Sequence, residues 1–117
     1  MWGLFKYGVP VLGILGFAHA AYQVFTGELV PEKMGVHPNV LRMFGVGETL
    51  IAISWILIIF GLRAGAVWPQ HLAIFITGVY LCNYLVSLSM FRNMGDKLFK
   101  YWGTASLIIM ILYCMWI

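Results

Sequence analysis

Acidic side chains are scarce in this sequence, with four Asp and Glu residues in 117 positions against seven Lys and Arg. Charged residues of both signs make up 9% of the chain, hydrophobic residues make up 62%, and the mean hydropathy is +0.92. A soluble domain of this length buries only part of its surface, so it could not shield this much apolar side chain from water. The composition therefore excludes an ordinary soluble domain and predicts an integral membrane protein.

Residues that bind metals or form disulfides are also few. The two cysteines, Cys82 and Cys114, both lie in apolar runs, and the chain has no CxxC or Cys/His spacing, which excludes a disulfide framework and the usual zinc motifs. A haem with two histidine ligands would need a second intramembrane histidine beside His19. His37 falls in a polar connection and His71 at the opposite end of the apolar segments. We expect no metal and no cofactor.

Catalytic motifs are missing as well. The sequence contains no phosphate-binding glycine loop, no nucleophile elbow and no paired carboxylates for acid–base chemistry. An enzyme is therefore the less favoured interpretation.

Four apolar stretches are long enough to cross a bilayer, which requires about 20 residues. They cover residues 4–26, 43–62, 71–91 and 98–117. The last two connections are short, and short connections place neighbouring helices antiparallel. The predicted fold is all-α, an up-down bundle of four transmembrane helices in a single domain, 1–117.

The first stretch also imitates a secretory signal. Lys6 precedes an apolar run, and the tripeptide Ala18-His19-Ala20 resembles a cleavage site. The apolar run continues past this site to Phe25, which favours a retained helix.

Basic residues are distributed unevenly between the two ends of the predicted bundle. The end with the first and third connections carries Lys33, Arg42, Arg92, Lys97 and Lys100, and the other end carries Lys6 and Arg63. The positive-inside rule predicts that the first end is cytoplasmic and that both termini lie on the opposite side. Because these residues flank apolar segments, we expect them to face lipid headgroups and not nucleic acid.

Glu48 is the only acidic residue inside an apolar stretch. A charge in hydrocarbon costs several kcal/mol, so this carboxyl group must be protonated, paired or turned toward a polar cavity. At about 1.5 Å rise per residue, His19, Glu48 and Asn83 lie about 9 to 12 Å inward from the same end of the bundle. The most polar interior residues are thus expected at one depth.

Helical spacing predicts which residues share a face. The predicted inward stripes are Leu12, Gly16, His19, Gln23 and Thr26; Gly45, Glu48, Ala52 and Trp55; and Tyr80, Asn83 and Ser87. They predict a contact between His19 and Glu48 with Asn83 or Tyr80 nearby. The candidate polar layer or ligand site comprises His19, Gln23, Glu48, Tyr80 and Asn83. Such a layer could anchor helix packing, relay protons or hold the headgroup of a ligand.

A short pattern opens the second apolar stretch. The segment from Glu32 to Arg42 contains Lys-Met-Gly-Val and then Leu-Arg, and Gly45-x-x-Glu48 follows. It resembles the DoxX-like family of small four-helix membrane proteins, best over residues 32–62. The resemblance implies a four-helix membrane bundle and a small protein that attends a larger one. Members of that family include a subunit tied to a thiosulfate–quinone oxidoreductase and a chaperone of nicotinic receptors.

Three functions remain open from the sequence. The favoured one is a non-catalytic accessory or assembly subunit of a larger membrane complex, with the bilayer and other membrane subunits as partners. The alternative is a lipid- or quinone-binding subunit of a membrane redox complex, with His19, Glu48 and Asn83 holding the headgroup. A proton-coupled small transporter ranks last, because a buried carboxylate alone is a weak signal.

Overall fold

The computed structural model describes residues 2–27, 37–90 and 97–117, and these residues form an all-helical structure. Within them the helices are α1 (Trp2–Phe25), α2 (Pro38–Arg63), α3 (Trp68–Met90) and α4 (Lys97–Trp116). The four helices predicted from hydropathy are confirmed, and only α2 begins several residues earlier than expected. The start of the Glu32–Arg42 pattern lies outside the described residues. So do Lys33, Arg92 and the side chains of Ser87, Lys97 and Lys100.

Capping residues define both ends of α2. His37 precedes the helix and its Nδ1 accepts a hydrogen bond from the Asn39 backbone N–H at 3.1 Å, and Pro38 occupies the first turn, where no donor is lost. At the other end the Ala66 N–H donates to the Gly61 carbonyl at 3.0 Å, and Gly65 adopts a φ of +72°. This is the glycine C-cap that reverses the chain after a helix, so α3 starts beside the end of α2.

Contacts at the two ends of the bundle establish how the helices run. At one end the Tyr113 hydroxyl of α4 donates to the Lys6 carbonyl of α1 at 2.7 Å, and Gln70 Nε2 of α3 donates to the Cys114 carbonyl at 3.3 Å. At the other end Gly45 of α2 packs against Val24, near the end of α1. Each helix therefore runs antiparallel to the next, as the two short connections after α2 and α3 predicted for those helices.

A hydrophobic core lies toward the end that contains Lys6 and Tyr113. It is built from Ile51, Trp55, Ile58, Ala73, Ile76, Met110 and Tyr113, with side chains of α1 packed against it. The Trp55 and Tyr113 rings meet edge to face at 5.5 Å, and both side chains are fully buried. A Cβ on Gly13 would lie 2.6 Å from Trp55 Nε1, so a glycine is required where α1 crosses this indole.

The outer surface of the described residues is predominantly apolar. Exposed large hydrophobic side chains outnumber the buried ones. Two segments of the described chain, Gly3–Phe25 and Pro38–Arg63, are long and apolar enough to cross a membrane, with mean hydropathies of 1.4 and 2.0. Only 17% and 28% of these segments is buried, whereas the core helix of a soluble protein is mostly buried. In α4 the apolar part, Gly103–Trp116, is shorter.

Candidate functional site

A small cavity of about 60 Å³ lies beside the core, on the side away from Lys6 and Tyr113. Its lining residues come from α1, α2 and α3: Phe17, Phe44, Glu48, Ile51, Tyr80, Asn83 and Tyr84. Ligand pockets for whole small molecules are typically several hundred Å³, whereas a water molecule requires roughly 10–15 Å³. The cavity therefore has room for a headgroup or a few waters, but not for a complete cofactor.

Glu48 supplies the carboxyl group of this cavity. It lies on α2 one turn before the buried Ile51, and its side chain is half-buried. The hydroxyl group of the neighbouring Thr49 donates to the Gly45 carbonyl of the same helix at 2.9 Å and is thus satisfied locally. Among the described residues that line the cavity, none is basic. As far as these described lining residues go, the cavity combines one acidic group with no fixed positive charge.

Aromatic rings form most of the remaining wall. Phe17 of α1 meets Tyr80 of α3 edge to face, with centroids 5.3 Å apart and planes at 87°. Tyr84, one turn beyond Tyr80, is stacked on it at 6.3 Å with planes at 17°. Phe44 is one turn before Glu48 on α2 and completes the set. The carboxyl group thus shares its cavity with four aromatic side chains.

Helix α4 contacts Tyr80 and Tyr84 on the side away from the cavity. The Tyr80 hydroxyl donates to the Gly103 carbonyl at 3.4 Å, and the hydroxyls of Tyr84 and Thr104 are 2.9 Å apart. A Cβ on Gly103 would overlap the Tyr84 ring, so the glycine makes room for it. These contacts hold the rings in place and engage both hydroxyl groups with α4.

Asn83 brings an amide group to the same place. A Cβ on Gly47 would lie 3.3 Å from Asn83 Nδ2. The Asn83 side chain therefore extends from α3 to α2, where Gly47 directly precedes Glu48 in the sequence. Glu48, Tyr80 and Asn83, three of the five predicted site residues, are therefore brought together around one cavity.

His19 and Gln23 do not line this cavity. His19 is exposed on α1 and lies outside the lining that contains Glu48, so the structure does not bring His19 and Glu48 together in this cavity. The side of α1 that faces the bundle includes Gly13, Phe17, Ala21 and Val24. This face is displaced from the predicted stripe by about one residue toward the C-terminus. Close packing of α1 against Trp55 and Gly45 determines this rotation, since α1 is apolar on every side.

The sequence interpretation missed Phe17, Phe44 and Tyr84 as cavity residues. A signal was present, because Phe44 precedes Glu48 by four residues and Tyr84 follows Tyr80 by four, a spacing that places each pair on one helix face. Aromatic residues in apolar helices more often contact lipid or the core, so this spacing alone does not predict a cavity.

Metal ligands are not clustered in the described part of the chain, where no group of three or more His, Cys, Asp or Glu side chains could hold an ion. Cys82 is exposed, and Cys114 lies 3.3 Å from the Thr77 hydroxyl in the contact between α3 and α4.

No protein-family model, curated protein or solved structure matches the chain. Function is therefore inferred from the geometry of the bundle and its cavity.

Proposed function

We propose that the chain is an integral membrane protein of four spans that acts as a non-catalytic accessory or assembly subunit of a larger membrane complex. The observation that carries this proposal is the apolar exterior, which involves every helix. Leu12 of α1, Phe60 of α2, Phe75 of α3 and Met115 of α4 are all 64–70% exposed. Contiguous apolar surface of this extent requires lipid or another protein to cover it.

The pattern at the start of α2 supports a relation to DoxX-like proteins. Leu41 is 4% exposed, Gly45 gives α1 room to approach, and Glu48 lines the cavity. Each of these pattern residues therefore has a structural task in the bundle. Family membership would give the chain the role of a small subunit that accompanies a larger membrane protein.

Native mass in a mild detergent tests the accessory role. The chain is expressed at its natural level, solubilised in a mild maltoside, and its mass is compared with that of the purified chain in the same detergent. We expect the chain to run with an assembly several times its own mass of 13.2 kDa. A chain that runs at the mass of the purified protein in both samples would contradict an accessory role.

Orientation in the membrane follows from the charge distribution. We propose that the end with His37 is cytoplasmic and that both termini and the α2–α3 turn lie on the other side. His37 and Val67 are exposed at opposite ends, so His37→Cys and Val67→Cys form a matched pair in a cysteine-free background. In intact cells a membrane-impermeant maleimide should label Cys at position 67 but not at 37, and lysis should expose both. The reverse pattern would overturn the orientation.

The cavity favours a second candidate function, the binding of the polar headgroup of a lipid or quinone. Apolar walls with a few convergent polar groups are typical of small-molecule sites, and Glu48, Tyr80 and Asn83 converge in this way. Glu48→Gln keeps the shape of the side chain and removes its charge, so the bundle should remain folded while ligand affinity falls. Unchanged affinity for every lipid and quinone that the wild type binds would exclude this function.

A further inference from the structure

The cavity around Glu48 has the composition of a cation site. We propose that it binds the ammonium headgroup of an organic amine, with the Glu48 carboxylate as counter-ion and the rings of Phe17, Phe44, Tyr80 and Tyr84 as an aromatic cage. This inference rests on the second proposed function, headgroup binding, and is independent of the accessory role.

The wall of the cavity is the first argument. Phe17 and Tyr80 meet at 87°, Tyr84 lies parallel to Tyr80, and all three side chains line the cavity together with Phe44. Aromatic rings arranged around a small space attract quaternary and alkylated ammonium groups through the negative potential of the ring faces, most strongly where water is excluded. The same ring faces attract an anion much more weakly than a cation.

The balance of charge is the second argument. Glu48 brings the one acidic group, and no basic side chain is found among the described residues that line the cavity. A carboxylate in an apolar bundle is stabilised by a positive partner. A bound ammonium ion would provide that partner, whereas an anionic headgroup would meet like charge.

The polar groups of the cavity favour an amine over a quinone. A quinone headgroup presents carbonyl oxygens and needs donors, but the Tyr80 hydroxyl donates its only proton to the Gly103 carbonyl. The Tyr84 hydroxyl lies 2.9 Å from the Thr104 hydroxyl. The Asn83 amide carries both donors and an acceptor, and the Glu48 carboxylate is an acceptor with a negative charge, which suits a positively charged ligand.

The volume sets the size of the headgroup. A space of 60 Å³ accommodates about two groups of the size of water, since each takes about 30 Å³ in the liquid. The charged nitrogen and one of its carbon substituents fit this space, and the rest of the molecule would extend outside it. The same chemistry occurs in free amines and in the headgroups of zwitterionic lipids.

Choline and 3,3-dimethylbutan-1-ol form a matched test pair, because they have the same shape and differ in the charged nitrogen. Titration calorimetry on the full chain in a maltoside detergent should give a dissociation constant for choline about tenfold or more below that of the neutral alcohol. Equal affinities, or no binding of choline, would overturn the proposal. This comparison uses the wild-type chain and does not depend on the folding of any variant.

Two substitutions locate the site. Glu48→Gln should raise the dissociation constant of choline about tenfold, and Phe44→Leu should raise it about threefold to tenfold by removing one ring of the cage. Phe75→Leu is the matched control, because Phe75 is 67% exposed on α3 and does not line the cavity. An effect of Phe75→Leu as large as that of Phe44→Leu would place the binding elsewhere and refute the assignment.

Competition separates the two sources of the ligand. If a short-chain phosphatidylcholine displaces choline and the matching phosphatidylglycerol does not, the natural ligand is a zwitterionic lipid; if neither displaces it, the ligand is a free amine. A third outcome is that a short-chain quinone binds in a Glu48-dependent way while choline binds no better than the neutral alcohol. That result would overturn the ammonium proposal and would still support headgroup binding. If none of these probes binds, both the ammonium proposal and the headgroup-binding function are contradicted.

Discussion

Gly13→Ala tests how α1 packs against α2. The added methyl group would lie 2.6 Å from both Cδ1 and Nε1 of Trp55 and 2.8 Å from Cε2, whereas ordinary van der Waals contacts begin near 3.4 Å. Trp55 is fully buried and is held edge to face by Tyr113, so the indole cannot move aside without disturbing the core. The methyl group must therefore push the two helices apart.

The expected change in the free energy of unfolding is the balance of two effects. Overpacking a well-filled core costs about 1–3 kcal/mol, and replacing glycine by alanine inside a helix returns about 1 kcal/mol. We expect Gly13→Ala to lower the free energy of unfolding by up to about 2 kcal/mol. Gly16→Ala is the control in the same helix, because its methyl group would meet nothing within 4 Å. It should raise stability by about 0.5–1 kcal/mol.

Reversible unfolding of the purified chain by titration with a denaturing detergent measures both variants. A difference of at least about 1 kcal/mol, with Gly13→Ala the less stable, is expected. In a Trp55→Phe background the smaller ring leaves space, so the difference between the two alanine variants should shrink and reveal coupling between positions 13 and 55. Equal stability of Gly13→Ala and Gly16→Ala would refute the close approach of α1 to Trp55.

Three further outcomes follow from other contacts. Gly103→Ala should displace the Tyr84 ring and lower stability by up to about 2 kcal/mol in the same unfolding assay, because overpacking costs about 1–3 kcal/mol and the helical alanine returns about 1 kcal/mol; a gain in stability would contradict the close contact. Tyr113→Phe removes the 2.7 Å hydrogen bond to the Lys6 carbonyl and should lower the free energy of unfolding by about 1 kcal/mol, and no change would contradict that bond. His19→Ala, at an exposed position outside the cavity, should leave the affinity for choline within about twofold of the wild type, since it removes no cage contact.

Helix positions followed from the sequence because they depend on a strong one-dimensional signal. Apolar runs of about 20 residues separated by glycine, proline and charged residues specify where helices begin and end. The antiparallel order followed in the same way, since the turn around Gly65 is too short for any other arrangement of α2 and α3. The orientation of α2 was also predictable, because Gly45, Glu48, Ala52 and Trp55 share one face, and three of these four residues are buried in the bundle.

The rotation of α1 about its own axis, which decides which of its residues face the bundle, could not be predicted in the same way. This helix is apolar on all sides, so hydropathy assigns no inward face, and the polar side chain of His19 was the remaining guide. The structure orients α1 by the fit of Gly13 to Trp55 and of Val24 to Gly45, which are contacts between distant residues. The aromatic lining of the cavity was missed for the same reason, because three helices have to be docked before its side chains come together.

The core around Trp55 and Tyr113 determines the side from which Glu48 can be reached. Ile51 belongs both to this core and to the cavity lining, and side chains of all four helices fill the bundle at that level. A molecule in the cavity therefore has no straight path toward the chain termini unless fully buried rings leave their places. If the cavity holds a headgroup as proposed, its exchange with the surroundings would occur through the half of the bundle away from Lys6 and Tyr113.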